Sequence, residues 1–140
     1  MQIRSAETAG FCFGVERAVS LAEQTAKSCA SAVTLGPIIH NRHVVERFEA
    51  MGLREIARAE DAQPGQTVVI RAHGIPVSEQ QTLAARGAKL VDATCPFVKK
   101  IHVIARQAEE AGRHLLIIGT PTHPEVTAIA SYSSDAHVFQ

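Results

Sequence analysis

The sequence predicts an α/β fold, open parallel sheets with helices on both faces, and three observations predict it. Short apolar runs rich in β-branched residues alternate with segments of helical period over the whole length. Proline recurs where a strand has ended and a helix should begin, at Pro76, Pro96 and Pro124. The chain has no Trp and one Tyr, so its core is aliphatic and sheet-like rather than aromatic.

Taken in order, residues 2–5 form the first candidate strand, followed by Gly10-Phe-Cys-Phe-Gly14 at the mouth of a helix. Val15, Ala18, Val19, Ala22, Ala26 and Cys29 then fall at helical spacing on one stripe. Residues 32–35 are the second strand, and Val44, Val45, Phe48 and Met51 mark the next helix. Asp61-Ala-Gln-Pro-Gly65 is the clearest turn. Strands at 67–71 and 89–92 follow, then a helix after Pro96 carrying Val98, Ile101, Ala105 and Ala108. Residues 115–118 and, more weakly, 137–140 complete the strands on either side of Pro124.

Composition excludes several classes of function. Fourteen basic residues balance fourteen acidic ones, and no basic block concentrates charge, so nothing favours a nucleic-acid backbone. The longest apolar run is Leu115 to Ile118, far short of the ~20 residues that cross a bilayer. Residues 1–11 carry Arg4 and Glu7 and lack the apolar stretch of a signal peptide. The reading is a cytoplasmic globular protein with no membrane and no nucleic-acid partner. Length alone matches one domain, but the chain ends inside an apolar, strand-like segment, Asp135-Ala-His-Val-Phe-Gln140. That ending predicts a longer natural polypeptide.

The chemistry-bearing residues sit at strand exits. His40, His73 and Cys95 each follow a predicted strand, His123 and Glu125 follow the strand ending at Ile118, and Cys12 follows the first strand at a longer remove. In open α/β sheets, ligands bind in the crevice beyond the carboxyl ends of the strands. Pro96 and Pro124 place Cys95 and His123 at helix N-caps, with Glu125 in a first turn. Helix starts favour anions and thiolates, so this edge suits a diphosphate or a deprotonated cysteine.

Each candidate has a plainer reading. Cys12 between two glycines is either a cysteine that a bulky cluster or phosphate can approach closely, or a buried thiol in a turn. A phosphatase-type loop with Arg17 holding the phosphate is disfavoured, because four residues separate Cys12 from Arg17, one too few. Cys29 continues an apolar helical stripe and reads as core packing. His102, His114 and His137 read as surface or packing residues, and His43 is undecided. His-Pro-Glu at 123–125 stands out because it pairs a hydrogen-bond donor with a carboxyl that can move protons. Two dispersed thiols make a shared metal site plausible but weakly specified by spacing, and a stand-alone module that holds Zn²⁺ through Cys12, Cys95 and a histidine, or a phosphate ester through the histidines, without redox chemistry, stays open.

Together these motifs resemble those of the 4-hydroxy-3-methylbut-2-enyl diphosphate reductases, iron–sulfur enzymes that end the non-mevalonate isoprenoid pathway. The resemblance is carried, in order, by Gly10-Phe-Cys-Phe-Gly-Val-Glu-Arg-Ala18, Leu35-Gly-Pro-Ile-Ile-His-Asn41, Arg71-Ala-His-Gly74, Asp92-Ala-Thr-Cys-Pro-Phe-Val-Lys-Lys100 and Gly119-Thr-Pro-Thr-His-Pro-Glu-Val126. It implies a [4Fe–4S] cluster on three cysteines, of which Cys12 and Cys95 are two and the third is not in this sequence. It implies that His40, His73 and His123 hold the diphosphate of an allylic substrate. Glu125 would relay a proton to the departing hydroxyl, with electrons from an external donor such as ferredoxin or flavodoxin. The family fold has three similar α/β domains, which implies a first domain at 1–95 and an incomplete second at 96–140. An isolated 140-residue chain of this kind is expected to be inactive, with apolar sheet and half the pocket open to water.

Overall fold

The computed structural model describes residues 2–140 and contains two parallel sheets. Helix α1 (Phe13–Ser28) precedes β1 (Val33–Leu35), α2 (Arg42–Ala50), β2 (Arg54–Ile56) and a 3₁₀ turn at Ala59–Asp61. Then come β3 (Thr67–Ile70), α3 (Val77–Ala85), β4 (Lys89–Asp92), α4 (Pro96–Glu110), β5 (Leu115–Ile118), α5 (Pro124–Ala130) and β6 (Ala136–Phe139). The first sheet has the order β2-β1-β3-β4, and β5 pairs with β6 alone. Every pairing is parallel, with Val33 opposite Val68, Val69 opposite Val91 and Leu115 opposite Ala136.

Side-chain alternation along the central strands divides the core of the first sheet in two. Val69 faces Ala18, Val19 and Ala22 of α1 and Val44 and Phe48 of α2. Its neighbours Val68 and Ile70 face the opposite way, with Val33 and Leu35, onto Ile75 and Leu83. Both faces are therefore covered, and burying each of these large side chains contributes about 1.5–3 kcal/mol. The stripe predicted for the first helix is the buried one, and Cys29 is its C-cap, packed against the first cluster.

Two sequence expectations fail here. Residues 2–5 form no strand: Gln2-Ile-Arg-Ser5 offers one apolar side chain, and Ile3 is 84% exposed with no strand to pair with among the described residues. Conversely, Arg54–Ile56 is a strand that hydropathy concealed. Two of its three residues are charged because it is an edge strand, paired only with β1, where charge protects an open edge. A smaller difference is Pro76, which caps α3 instead of occupying its first turn; Pro96 and Pro124 do occupy the first turns of α4 and α5.

The order β2-β1-β3-β4 positions the site. From β1 the chain moves outward to β2, then crosses β1 to add β3 and β4 on its other side. The direction of winding thus reverses between β1 and β3, and it is at such a switch point, beyond the carboxyl ends of the strands, that open α/β sheets form their ligand crevice. No described helix is long and apolar enough to cross a membrane.

Candidate functional site

Three loops meet at that crevice, and backbone hydrogen bonds extend the sheet ladder into them. Ala72 N–H donates to Ile38 O at 3.2 Å, Cys95 N–H donates to Ala72 O at 2.9 Å, and Ala93 N–H donates to Ile70 O at 3.1 Å. The segments carrying His40, His73 and Cys95 are therefore laced side by side. Asn41 caps α2, its Oδ1 accepting from Val44 N–H, and this terminates the loop directly after His40. Arg71 stiffens the central loop, its Nε donating to Gly74 O at 3.1 Å.

The structure brings the three predicted anion-binding histidines together. The rings of His40 and His73 lie 4.9 Å apart between centroids, His73 and His123 5.6 Å, and His40 and His123 6.4 Å. One ring nitrogen from each lies within 4.8 Å of the others. His73 is the half-buried member, and its Nδ1 is buried without a hydrogen-bond partner. Burial, reinforced by His40, His123 and Arg71, lowers the His73 pKa from 6.5 to about 4, so the ring is neutral at pH 7.

His123 caps α5 with its own side chain: its Nδ1 accepts from Glu125 N–H at 3.2 Å. In a neutral ring that bond puts the proton on Nε2, which makes the free nitrogen a donor rather than a lone pair. His123 thus presents a donor to the other two rings' side of the site, and the three-histidine group contains no carboxylate. That chemistry suits an oxyanion, and it disfavours a metal ion held by all three rings. Glu125 sits part-buried in the first turn of α5, two residues beyond His123.

Cys12 and Cys95 head α1 and α4 respectively, and neither makes a side-chain capping bond. Their segments touch. A Cβ on Gly14 would lie 2.4 Å from the Cys95 Sγ, so glycine at this position lets the first turn of α1 approach that thiol. Cys12 is exposed and Cys95 part-buried, and both are free. Two open thiols at neighbouring helix starts fit a soft metal centre as two of its ligands. Cys29 stands apart, its thiol donating to Thr67 Oγ1 at 3.4 Å beside the core.

Among the other histidines, His43 and His114 are exposed and His102 is buried. His114 and His137 both pair with Asp135. Sequence reasoning weighs Arg17 only as a phosphate holder and misses how the arginines shape the loops. Arg17 reaches from α1 to donate to Thr94 O at 3.2 Å and Asp92 O at 3.5 Å, bracing the turn before Cys95. Arg71 was visible only as part of a motif. For both, the partner is a backbone carbonyl that no residue pattern reveals.

A family model described as LytB protein matches residues 3–140. The 4-hydroxy-3-methylbut-2-enyl diphosphate reductase of Oleidesulfovibrio alaskensis is 47% identical over 140 residues, covering 99% of this chain and 50% of that protein. The protein of the same name from Aquifex aeolicus is 44% identical over 128 residues, covering 91% and 44%. A solved structure of (E)-4-hydroxy-3-methyl-but-2-enyl diphosphate reductase, described as the terminal enzyme of the non-mevalonate pathway, superposes with a TM-score of 0.82 at 41% identity, covering 96% of this chain and 50% of that one. The Plasmodium falciparum E-1-hydroxy-2-methyl-but-2-enyl-4-diphosphate reductase gives 0.89 at 28% identity, covering 96% and 43%. The chain spans about half the length of the relatives it matches.

Proposed function

The chain belongs to the LytB family, and from that premise we propose that it carries the diphosphate-binding edge and two cluster ligands of a 4-hydroxy-3-methylbut-2-enyl diphosphate reductase. The observation that carries this reading is the convergence of His40, His73 and His123 at the switch point of the first sheet, with His123 held as a donor by its helix cap. In this reading residues 1–95 are a first α/β domain and 96–140 the start of a second. The enzyme works in the cytoplasm with an external electron donor such as ferredoxin or flavodoxin.

The roles follow from what each group can do. His40, His73 and His123 hold the diphosphate of the allylic substrate, and His73, neutral when free, gains a proton or donates a hydrogen bond as the anion arrives. Cys12 and Cys95 would be two thiolate ligands of a [4Fe–4S] cluster, with the third cysteine supplied from outside these 140 residues, and that cluster would relay two electrons, one at a time, from the external donor to the substrate. Glu125 passes a proton to the hydroxyl as its C–O bond breaks, so that water leaves. A second proton completes the allylic carbon, yielding isopentenyl and dimethylallyl diphosphates. The same two-electron balance accounts for both products, which differ only in which allylic carbon takes that proton.

The alternative, a colourless module that holds zinc, is separated by one experiment. The polypeptide is prepared without oxygen, its visible absorption and metal content are measured, and inorganic diphosphate is then titrated in. The broad visible absorption of an iron–sulfur cluster, with diphosphate affinity that weakens in His40→Ala, His73→Ala and His123→Ala, is expected. Stoichiometric zinc with no such absorption would overturn the reading.

A further inference from the structure

The anion site is assembled from two sheets, so something must hold His123 of the second against His73 of the first. The tail of α5 does this. Immediately after α5, Ser131 Oγ accepts from Val77 N–H at 3.0 Å, and Tyr132 Oη accepts from Gln80 Nε2 at 2.9 Å. Both partners belong to α3, whose head follows His73 by four residues. The Tyr132 ring stacks on His102 of α4, with centroids 4.7 Å apart and planes 25° apart, and the Arg106 guanidinium lies 5.1 Å from the Tyr132 centroid.

His102 closes the connection from the other side. It is 6% exposed, and its ring presses on the His73 loop at Gly74. Gly74 has φ +76°, and a Cβ there would come within 2.6 Å of His102 Cε1. Burial pushes the His102 pKa down, which favours the neutral form of its ring. A cavity of about 230 Å³ beneath these residues is no second anion site, since Lys99 pairs with Asp92 and Arg106 lies against Tyr132.

We infer that the His102–Tyr132 stack is a clamp that sets the separation of His123 from His73, which makes His102 and Tyr132 positioning residues for the anion site. The inference rests on the reading that the three histidines hold a diphosphate. A seven-residue helix joins the clamp at one end of α5 to His123 at the other. Loosening Tyr132 therefore moves His123 while leaving His40 and His73, both carried by the first sheet, in place.

The test is made on the native full-length polypeptide with inorganic diphosphate as the probe. Tyr132→Leu is expected to weaken diphosphate binding about fivefold, the scale of a lost aromatic pair. It should also abolish the nuclear Overhauser contact between the His73 and His123 rings. Tyr132→Phe keeps the stack and is expected to stay within about twofold. In a His123→Ala background, Tyr132→Leu should cost nothing further, because the group it positions is gone. A simple structural defect would instead add its full loss in that background and overturn the clamp. An intact ring–ring contact in Tyr132→Leu would overturn it as well. If His40→Ala, His73→Ala and His123→Ala all bind diphosphate normally, the anion reading fails, and the ring–ring contact still reports on the clamp by itself.

Discussion

The two sheets are built from the same strand–helix alternation, yet one is closed on both sides and the other on one. In the first sheet Val68 and Val69, adjacent residues pointing in opposite directions, are both fully buried. In the second, Leu115 and Ile117 turn inward while Leu116 and Ile118 turn out, and Ile118 is 90% exposed. Phe139 continues that open apolar face on β6. The difference teaches where precision comes from. The first sheet supplies a rigid edge with laced loops and two of the three histidines of the proposed anion site, whereas the second contributes His123 and Glu125 from an element that depends on its docking. Contiguous exposed apolar surface of this kind marks an interaction face, and the chain spans about half the length of the relatives it matches.

The comparison is most directly broken by truncating one apolar side chain packed under the first sheet and one on the open face of the second. Leu83→Ala, beneath the first sheet and fully buried, should cost about 2–5 kcal/mol of stability in urea unfolding. Leu116→Ala, on the open face, should cost about 0.5 kcal/mol or less. Equal costs would mean that the second sheet is closed in solution.

A second contrast separates the two contributions to the chemistry. Glu125→Gln in the complete enzyme should lower turnover about 100-fold, near 2.7 kcal/mol of barrier, while the cluster spectrum persists. Cys95→Ser should remove the cluster spectrum itself. Near-normal turnover in the first variant, or an unchanged spectrum in the second, would withdraw that residue's role.

Smaller and pH-dependent is the effect of His73. Its pKa is about 4 in the fold against 6.5 for the free ring, so between those values the unfolded chain binds the proton that the native one refuses. Stability should therefore rise as pH increases from 4 to 6.5 and be lost on acidification through the same window. Buried His102, also lowered, acts in the same direction. Proton NMR of the imidazoles should show His73 titrating near 4, and a midpoint above 6 would place it in water rather than at the closed end of the crevice.

Much of this was legible in one dimension, and the reasons are specific. Strands β3 and β5 are legible because β-branched residues run together there, and α1 because its small apolar residues recur at helical spacing. Strand β2 was not, since an edge strand carries charges that mimic a loop. Residues 2–5 erred the other way, one isoleucine being too little to make a strand without a partner. His40, His73, His123, Cys12, Cys95 and Glu125 stood out as reactive residues at strand exits. Arg17, Tyr132 and His102 did not, because their work is done against backbone carbonyls and rings distant in sequence.

By itself the sequence determined the alternation of strands and helices, the prolines that start α4 and α5, and the kinds of chemistry placed at each strand exit. These depend on hydrophobic period and local backbone sterics, which act over a few residues. Tertiary structure alone decided the strand order that puts the switch point between β1 and β3, and hence which exits share a crevice. It also decided that His73 is neutral and His123 a donor, because desolvation and hydrogen-bond direction depend on neighbours that only folding brings within reach.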